Sequence, residues 1–345
     1  MVHLHSLAPV RRLACTATVC GLFACGGEDL SLGELPSTKT NTNTCVAVAA
    51  TPTSVGKLQG EPLRDSLTAA GASLLVGIET EPAPAARAKL LELAAGRPAK
   101  DVVLNDFAGG VIFADANRIV FKKAAPSSPT EYVNVVVQNR ADGQVRTLPN
   151  PAGDFVMDVA VTRSGDVYWV TGDDESRRWV VHSDGTAAPP TIVAEGRFVT
   201  LQTDGEEVYY RTAVAEGLGI FRARGGSAPV EVWRASDLGH LLAVDETRIF
   251  LALGGGHGLA TLQAMPKAGG EPILLEEDFN ISTRLITDDT HVYWSTVDSV
   301  VRMPKAGGQK ETVVAEPGGL QAFTVDACNV YWTRRSPSEV MARAK

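Results

Sequence analysis

Six stretches of the chain repeat one short pattern: an aspartate, three residues, an aliphatic residue, then usually two aromatics. The clear copies run from Asp204 to Val208-Tyr209-Tyr210, Asp245 to Ile249-Phe250, Asp288 to Val292-Tyr293-Trp294 and Asp326 to Val330-Tyr331-Trp332. Weaker copies run from Asp115 to Ile119-Val120-Phe121 and from Arg163 to Val167-Tyr168-Trp169. The anchors at 115, 163, 204, 245, 288 and 326 lie 48, 41, 41, 43 and 38 residues apart. A period of roughly 40–50 residues made of short strands is the mark of an all-β propeller with four-stranded blades.

One repeat shows how the unit works. Arg284-Leu285-Ile286-Thr287 reads as a first strand, and Asp288 opens a tight turn in which its carboxylate accepts backbone N–H groups. His291 to Ser295 is the second strand and Ser299 to Met303 the third. Pro304-Lys305-Ala306-Gly307-Gly308 is the next turn, and Glu311 to Val314 the fourth strand. Paired glycines supply the positive φ of such a turn at little cost. Met265-Pro266-Lys267-Ala268-Gly269-Gly270 repeats that turn. Side chains alternate across a strand, so Val292 and Trp294 face one way and Tyr293 the other. A blade has a neighbour on each side, so both faces are expected to be apolar.

The last copy stops one strand short, after Val340-Met341-Ala342-Arg343. An unpaired edge is a liability that an N-terminal strand would remove. Residues 62–105 carry a worn copy, with Ala70 at the aspartate position and Leu74-Leu75-Val76 at the aromatic position. Counted as a blade, they give seven, closed by Cys45 to Val48. The alternative treats 80–97 as a helix on a linker, since Ala, Leu, Lys and Arg favour helices, and gives six. The expectation is seven, with 45–345 as the propeller and 109–345 holding the six clear repeats.

The start of the chain reads as export machinery. His3, His5, Arg11 and Arg12 precede the apolar run Leu13 to Ala24, too short to span a bilayer and suited to a signal-peptide core over 1–24. Leu22-Phe23-Ala24-Cys25 resembles the lipobox of bacterial lipoproteins, which implies a diacylated Cys25. Residues 25–44, rich in Ser, Thr and Asn, read as a polar tether. Cys15 and Cys20 leave with the signal, so Cys45 and Cys328 remain as an even pair in an oxidising compartment, and a disulfide between them is expected. The net charge of −8 gives no basic footprint for nucleic acid.

Tyr293-Trp294-Ser295, followed by Val301-Arg302 and Gly307-Gly308, resembles the YWTD-type propeller repeat. Tyr331-Trp332-Thr333 and Tyr168-Trp169-Val170-Thr171 match in part. Thr296 and Arg334 stand where that motif closes on aspartate, so its contacts are not carried over. The whole resembles bacterial repeat lipoproteins of unknown function, and this implies a binding scaffold without naming a chemistry. The streptogramin lyases, also seven-bladed, would require a clustered histidine and glutamate set near Mg²⁺, and no such set can be assembled from these residues.

Tyr/Trp pairs at a repeating second-strand position read as packing between blades rather than as a sugar platform. Gly254-Gly255-Gly256-His257-Gly258 lacks the helix that a phosphate loop needs, since Leu259 to Met265 reads as strand. His257 is the best-placed histidine for function, on a loop between second and third strands. Asp173, Asp174 and Glu175 occupy the same loop of an earlier blade. They lack the spaced oxygen donors of a Ca²⁺ loop, so no metal is assigned. No catalytic motif of the hydrolase or zinc-protease kind occurs, so no catalytic residue and no cofactor are expected. The reading is a monomeric, lipid-anchored binding or scaffold protein of the bacterial envelope, on the periplasmic or outer-surface side. It meets the membrane only through its lipid and takes a protein or glycan ligand on loops at one propeller face. The alternative is a propeller enzyme, of lyase or lactonase type, with a divalent metal in its central channel.

Overall fold

A computed structural model describes residues 47–345, apart from short stretches at 71, 82–86, 95–96, 103–106, 126–127, 152–154, 173–176, 187, 198, 215–216, 236–238, 255–258, 281–283 and 318. Every regular element described is a strand, and the strands form seven four-stranded sheets. After β1 (Thr53–Lys57), blade 1 is β2 (Glu61–Ala70), β3 (Ser73–Glu81), β4 (Arg87–Ala94) and β5 (Lys100–Val102). Blade 2 is β6 (Phe107–Ala114), β7 (Arg118–Ala125), β8 (Ser128–Asn139) and β9 (Val145–Leu148). Blade 3 is β10 (Phe155–Val161), β11 (Val167–Gly172), β12 (Arg178–Ser183) and β13 (Thr191–Gly196). Blade 4 is β14 (Thr200–Thr203), β15 (Val208–Val214), β16 (Gly217–Ala223) and β17 (Val230–Ala235). Blade 5 is β18 (Gly239–Val244), β19 (Arg248–Leu253), β20 (Leu259–Pro266) and β21 (Ile273–Asn280). Blade 6 is β22 (Leu285–Thr287), β23 (His291–Ser295), β24 (Ser299–Pro304) and β25 (Glu311–Ala315). Blade 7 is β26 (Leu320–Val325), β27 (Asn329–Arg334) and β28 (Glu339–Ala344), completed by β1.

First strands meet first strands: β2 contacts both β6 and β26, β10 contacts β14, and β18 contacts β14 and β22. They therefore line the axis, and blade 1 touches blade 7, so the ring is closed. Within blades 1 to 6 the strands are antiparallel neighbours in chain order, and in blade 7 β1 is the antiparallel neighbour of β28. First-to-second and third-to-fourth connections thus share one end of the ring, and the remaining connections share the other.

The ring has one apolar cluster for each of its seven seams. Val292 and Trp294 pack toward blade 5, while Tyr293 packs toward blade 7 with Val330 and Trp332. The alternation read from the sequence is thus what binds a blade on both sides. Trp169, Trp332, Tyr168 and Tyr293 are among the largest fully buried side chains.

The expected seven blades are present, and the helix alternative for 80–97 falls; one expectation, the closing strand, is corrected. Residues 87–94 form β4 and not a helix. Leu91 and Leu93 pack toward blade 7 and Leu90 toward blade 2, a period-two burial that overrides the helix preference of Ala and Leu. The ring is closed by β1 rather than by Cys45 to Val48. Thr53 pairs with Ala342 and Lys57 with Glu339, and Val55 packs against the cluster between blades 7 and 1. Val48 lies past the end of this pairing, where its N–H donates to Asn329 Oδ1 at 2.9 Å.

Candidate functional site

The repeated aspartate does two jobs with its two oxygens. Oδ1 accepts the N–H groups two and three residues on, as from Thr247 and Arg248 to Asp245 and from Thr290 and His291 to Asp288. Oδ2 accepts the lysine of the next blade: Lys267 reaches Asp204 at 2.5 Å, Lys305 reaches Asp245, and Lys345 reaches Asp288 at 2.6 Å. Each lysine is anchored through its own N–H to the carbonyl two residues after its own blade's aspartate, as Lys267 to Thr247 and Lys305 to Thr290. Burial alone would raise the Asp288 carboxyl; Lys345, the two N–H groups and the Tyr293 hydroxyl at 2.8 Å hold it well below the carboxylate range.

Where the repeat is worn, the contact changes form. Ala70 has no carboxylate, so Arg140 of blade 2 bonds Glu92 at 2.5 Å, Ser73 Oγ at 3.1 Å and the Ala70 carbonyl. Arg163 reverses the polarity, standing at the aspartate position and reaching Glu206 of blade 4 at 2.7 Å. In sequence the Pro-Lys-Ala-Gly-Gly stretch reads as a turn alone. Lys267 follows Asp204 by 63 residues and Lys345 follows Asp288 by 57, about one and a half repeats, and that spacing is the available signal.

Between blades 4 and 5, the turn-bearing end of the ring opens into a cleft of about 390 Å³. Asp204, Glu207, Tyr209 and Arg222 supply one side, with Val232 and Trp233 from β17; Glu246, Ile249, Met265 to Lys267, Gly269 and Gly270 supply the other. Val232 and Trp233 both line it because β17 carries a bulge. Trp233 pairs with Ile220, but Glu231 pairs with Phe221, which leaves Val232 as the extra residue. Trp233 packs partly buried against the cluster that joins the two blades. Val230 and Val232 stand exposed on the same strand.

Four charged groups of the cleft, Asp204, Glu207, Arg222 and Lys267, are engaged with one another. Glu207 accepts from the Tyr209 hydroxyl at 3.2 Å and from Arg222 at 3.4 Å. Lys267 holds Asp204 and sits 4.4 Å from the centre of the Tyr209 ring, a cation–π contact. Burial, then the Asp204 and Glu207 carboxylates, push the Tyr209 phenol far up, so it stays neutral. Burial raises Asp204, and Lys267 with two N–H groups more than reverses this. A carboxylate pinned in its charged form and a phenol pinned in its neutral form suit binding better than proton transfer.

The corresponding seam between blades 3 and 4 is occupied differently. Asp166 replaces Glu207 and His182 replaces Arg222, with His182 Nε2 2.7 Å from Asp166 Oδ1. A Cβ at Gly226 would stand 2.6 Å from His182 Nδ1, so the blade 4 turn closes over the histidine.

The other end of the ring gathers cationic side chains. Arg211 Nη1 donates to the Gly239 carbonyl, and burial together with Arg178 lowers its pKa. Burial and then Arg211 lower that of His240. Asp158 accepts from Leu201 N–H at 2.8 Å and Val159 N–H at 2.9 Å, and joins β10 to β14; burial raises it against those donors and Lys122. Among the described residues, no group of three or more His, Cys, Asp or Glu is placed to hold a metal.

Asp173, Asp174, Glu175 and His257 lie outside the described residues, as do Cys25 and Cys45. The strands flanking the first group, β11 with β12 and β19 with β20, end on the face opposite the cleft. Cys328 sits in the turn before β27, its N–H on Asp326 Oδ1 at 2.8 Å and its carbonyl accepting from Lys345.

No protein-family model matches the chain, and no curated protein matches it. Solved structures do resemble it. A catalytically inactive variant of virginiamycin B lyase from Staphylococcus aureus, with quinupristin, is 9% identical at a TM-score of 0.58, covering 86% of this chain and 99% of that one. The β-propeller domain of the Trilobed protease from Pyrococcus furiosus is 10% identical at 0.60, covering 82% and 93%. The Pan2 WD40 domain of Neurospora crassa is 9% identical at 0.56, covering 87% and 98%. At such identities the shared property is the seven-bladed propeller fold, carried here by a chain that bonds aspartate to lysine across three of its seams.

Proposed function

We propose that this chain is a lipid-anchored binding or scaffold protein of the bacterial envelope, which takes its ligand at the cleft between blades 4 and 5. The cleft carries the reading. Its volume falls within the roughly 300–1,000 Å³ of small-molecule sites, with an aromatic wall and a few fixed polar groups. The repeat aspartates at 245 and 288 are spent in joining blades, through Lys305 and Lys345. The YWTD-like repeats and the lipobox resemblance at Leu22 to Cys25 support the anchored-scaffold part. A Cys45–Cys328 disulfide would tie the tether to the last blade. In support, Val48 N–H bonds Asn329 and Ala344 N–H bonds the Ala49 carbonyl, both beside Cys328.

Val232→Lys tests the site, since residue 232 is exposed and a lysine there obstructs the cleft without touching the core. Immobilised wild-type protein is expected to retain an envelope glycan or protein that the variant releases. Equal retention by both would remove the cleft from the account.

A further inference from the structure

We infer that the cleft between blades 4 and 5 is a carbohydrate site, in which an uncharged sugar ring stacks on Trp233 and its hydroxyls are read by Glu207, Arg222 and Glu246. This rests on the binding reading above and adds a ligand class to it.

The geometry favours a sugar over other ligands for three reasons. First, the β17 bulge brings Trp233 and Val232 together into the lining of the cleft, and Trp233 packs against the cluster behind it, so an aromatic and an aliphatic side chain border the site before any ligand arrives. Indole faces take up C–H-bearing surfaces while their rims remain polar. Second, the polar groups alternate in sign. Glu207 stands with Arg222, Asp204 stands with Lys267, and Glu246 lies on the facing turn. A strongly anionic ligand would meet three carboxylates, and a strongly cationic one would meet Arg222 and Lys267. The cation position over Tyr209 is already filled by Lys267. A neutral molecule rich in hydroxyl groups meets neither repulsion, because each hydroxyl both donates to a carboxylate and accepts from a guanidinium. Third, Glu207 with Arg222 and Asp204 with Lys267 are held by one another before binding, which lowers the ordering cost of recognition.

The cleft also differs from the equivalent place one seam earlier. There Asp166 and His182 take the paired positions, and the Gly226 turn lies against the histidine ring. Here Gly269 and Gly270 hold positive φ with nothing within 4 Å of a built Cβ, so the turn stands clear of the opening.

The test is titration of the mature chain with chitotriose, cellotriose and maltotriose, read by tryptophan fluorescence and calorimetry, with the tripeptide Ala-Ala-Lys as a contrasting probe. Saturable binding of at least one trisaccharide is expected, weakened at least tenfold in Trp233→Ala and in Val232→Lys and less in Trp233→Phe, with the thermal midpoint of each variant recorded as a folding control. If Trp233→Ala fails to fold, Val232→Lys and Glu246→Ala carry the comparison. If the tripeptide binds and loses affinity in Val232→Lys while the sugars do not bind, the carbohydrate assignment falls and the binding reading stands. If a trisaccharide binds with equal affinity to wild type, Trp233→Phe and Val232→Lys, it binds elsewhere and this assignment is overturned. If no probe binds and Val232→Lys still releases the retained envelope component, the site stands and the sugar class falls. If that release is also absent, both fall.

Discussion

Lys345 Nζ lies 2.6 Å from Asp288 Oδ2, across the seam between blades 7 and 6, and 5.2 Å from the centre of the Tyr293 ring. Both charged side chains are largely buried, at 13% and 19% exposure. Removing either partner strands the other, so Asp288→Asn and Lys345→Ala are each expected to cost about 2–3 kcal/mol. Because the two residues share one bond, their effects should not add. A double-mutant cycle by denaturant unfolding should give a coupling on the order of 1–2 kcal/mol, and strict additivity would show that the pair contributes nothing.

The seam aspartates also set the response to acid. Burial raises Asp204, Asp245 and Asp288, and the facing lysines with the turn N–H groups lower each below the ordinary carboxylate value. The folded state thus binds fewer protons than the unfolded one in this range. The resulting stability is present above the unfolded pKa of about 3.9 and is lost as pH falls through the folded values. The thermal midpoint should decline steadily below about pH 5. Asp288→Asn should flatten that decline, and a midpoint independent of pH down to 3 would contradict it.

Trp332 is almost fully buried in the cluster between blades 6 and 7 and donates from Nε1 to Glu316 at 2.9 Å. Trp332→Ala should cost about 3–5 kcal/mol. Tyr331→Phe, which loses only the hydroxyl bonds to Asp326 Oδ2 and Asn329, should cost about 1 kcal/mol. Chemical denaturation of the two variants checks the order, and equal losses would mean that the aromatic is not the packing element.

Gly226 holds φ at +71°, and its position leaves no room for a methyl group beside His182. Gly226→Ala combines left-handed strain with a contact on a buried ring. It should lower stability by about 1–3 kcal/mol. Gly225→Ala, also at positive φ (+53°) but with open space around it, should cost only the backbone part, on the order of 1 kcal/mol. A thermal melt of both variants separates strain from crowding.

The sequence exposed the ring because its repeat is written in large residues with a fixed offset. Aspartate, aliphatic and aromatic recur at turn and second strand, and burial on both faces forces the pattern of Val292, Tyr293 and Trp294. The first blade was legible only as a worn copy, since Ala70 supplies no turn carboxylate and Arg140 supports that seam from the next blade. The closing strand was misplaced because several polar and apolar residues follow Cys45, and only the register with Glu339 to Ala342 selects Thr53–Lys57. Trp233 escaped notice for a different reason. It lies on a fourth strand, outside the aromatic repeat, and reaches the cleft only because a bulge re-aims it. A bulge leaves no reliable mark in a single sequence.

Ring closure by the N-terminal segment is the relationship on which the rest depends. Amide hydrogen exchange over 53–57, followed by mass spectrometry, tests it most directly. Bonded to β28 through Thr53, Ser54, Gly56 and Lys57, that segment should exchange as slowly as β28 and far more slowly than surface turns. Exchange within seconds over 53–57, with an equally fast outer edge of β28, would show an open ring and contradict the account.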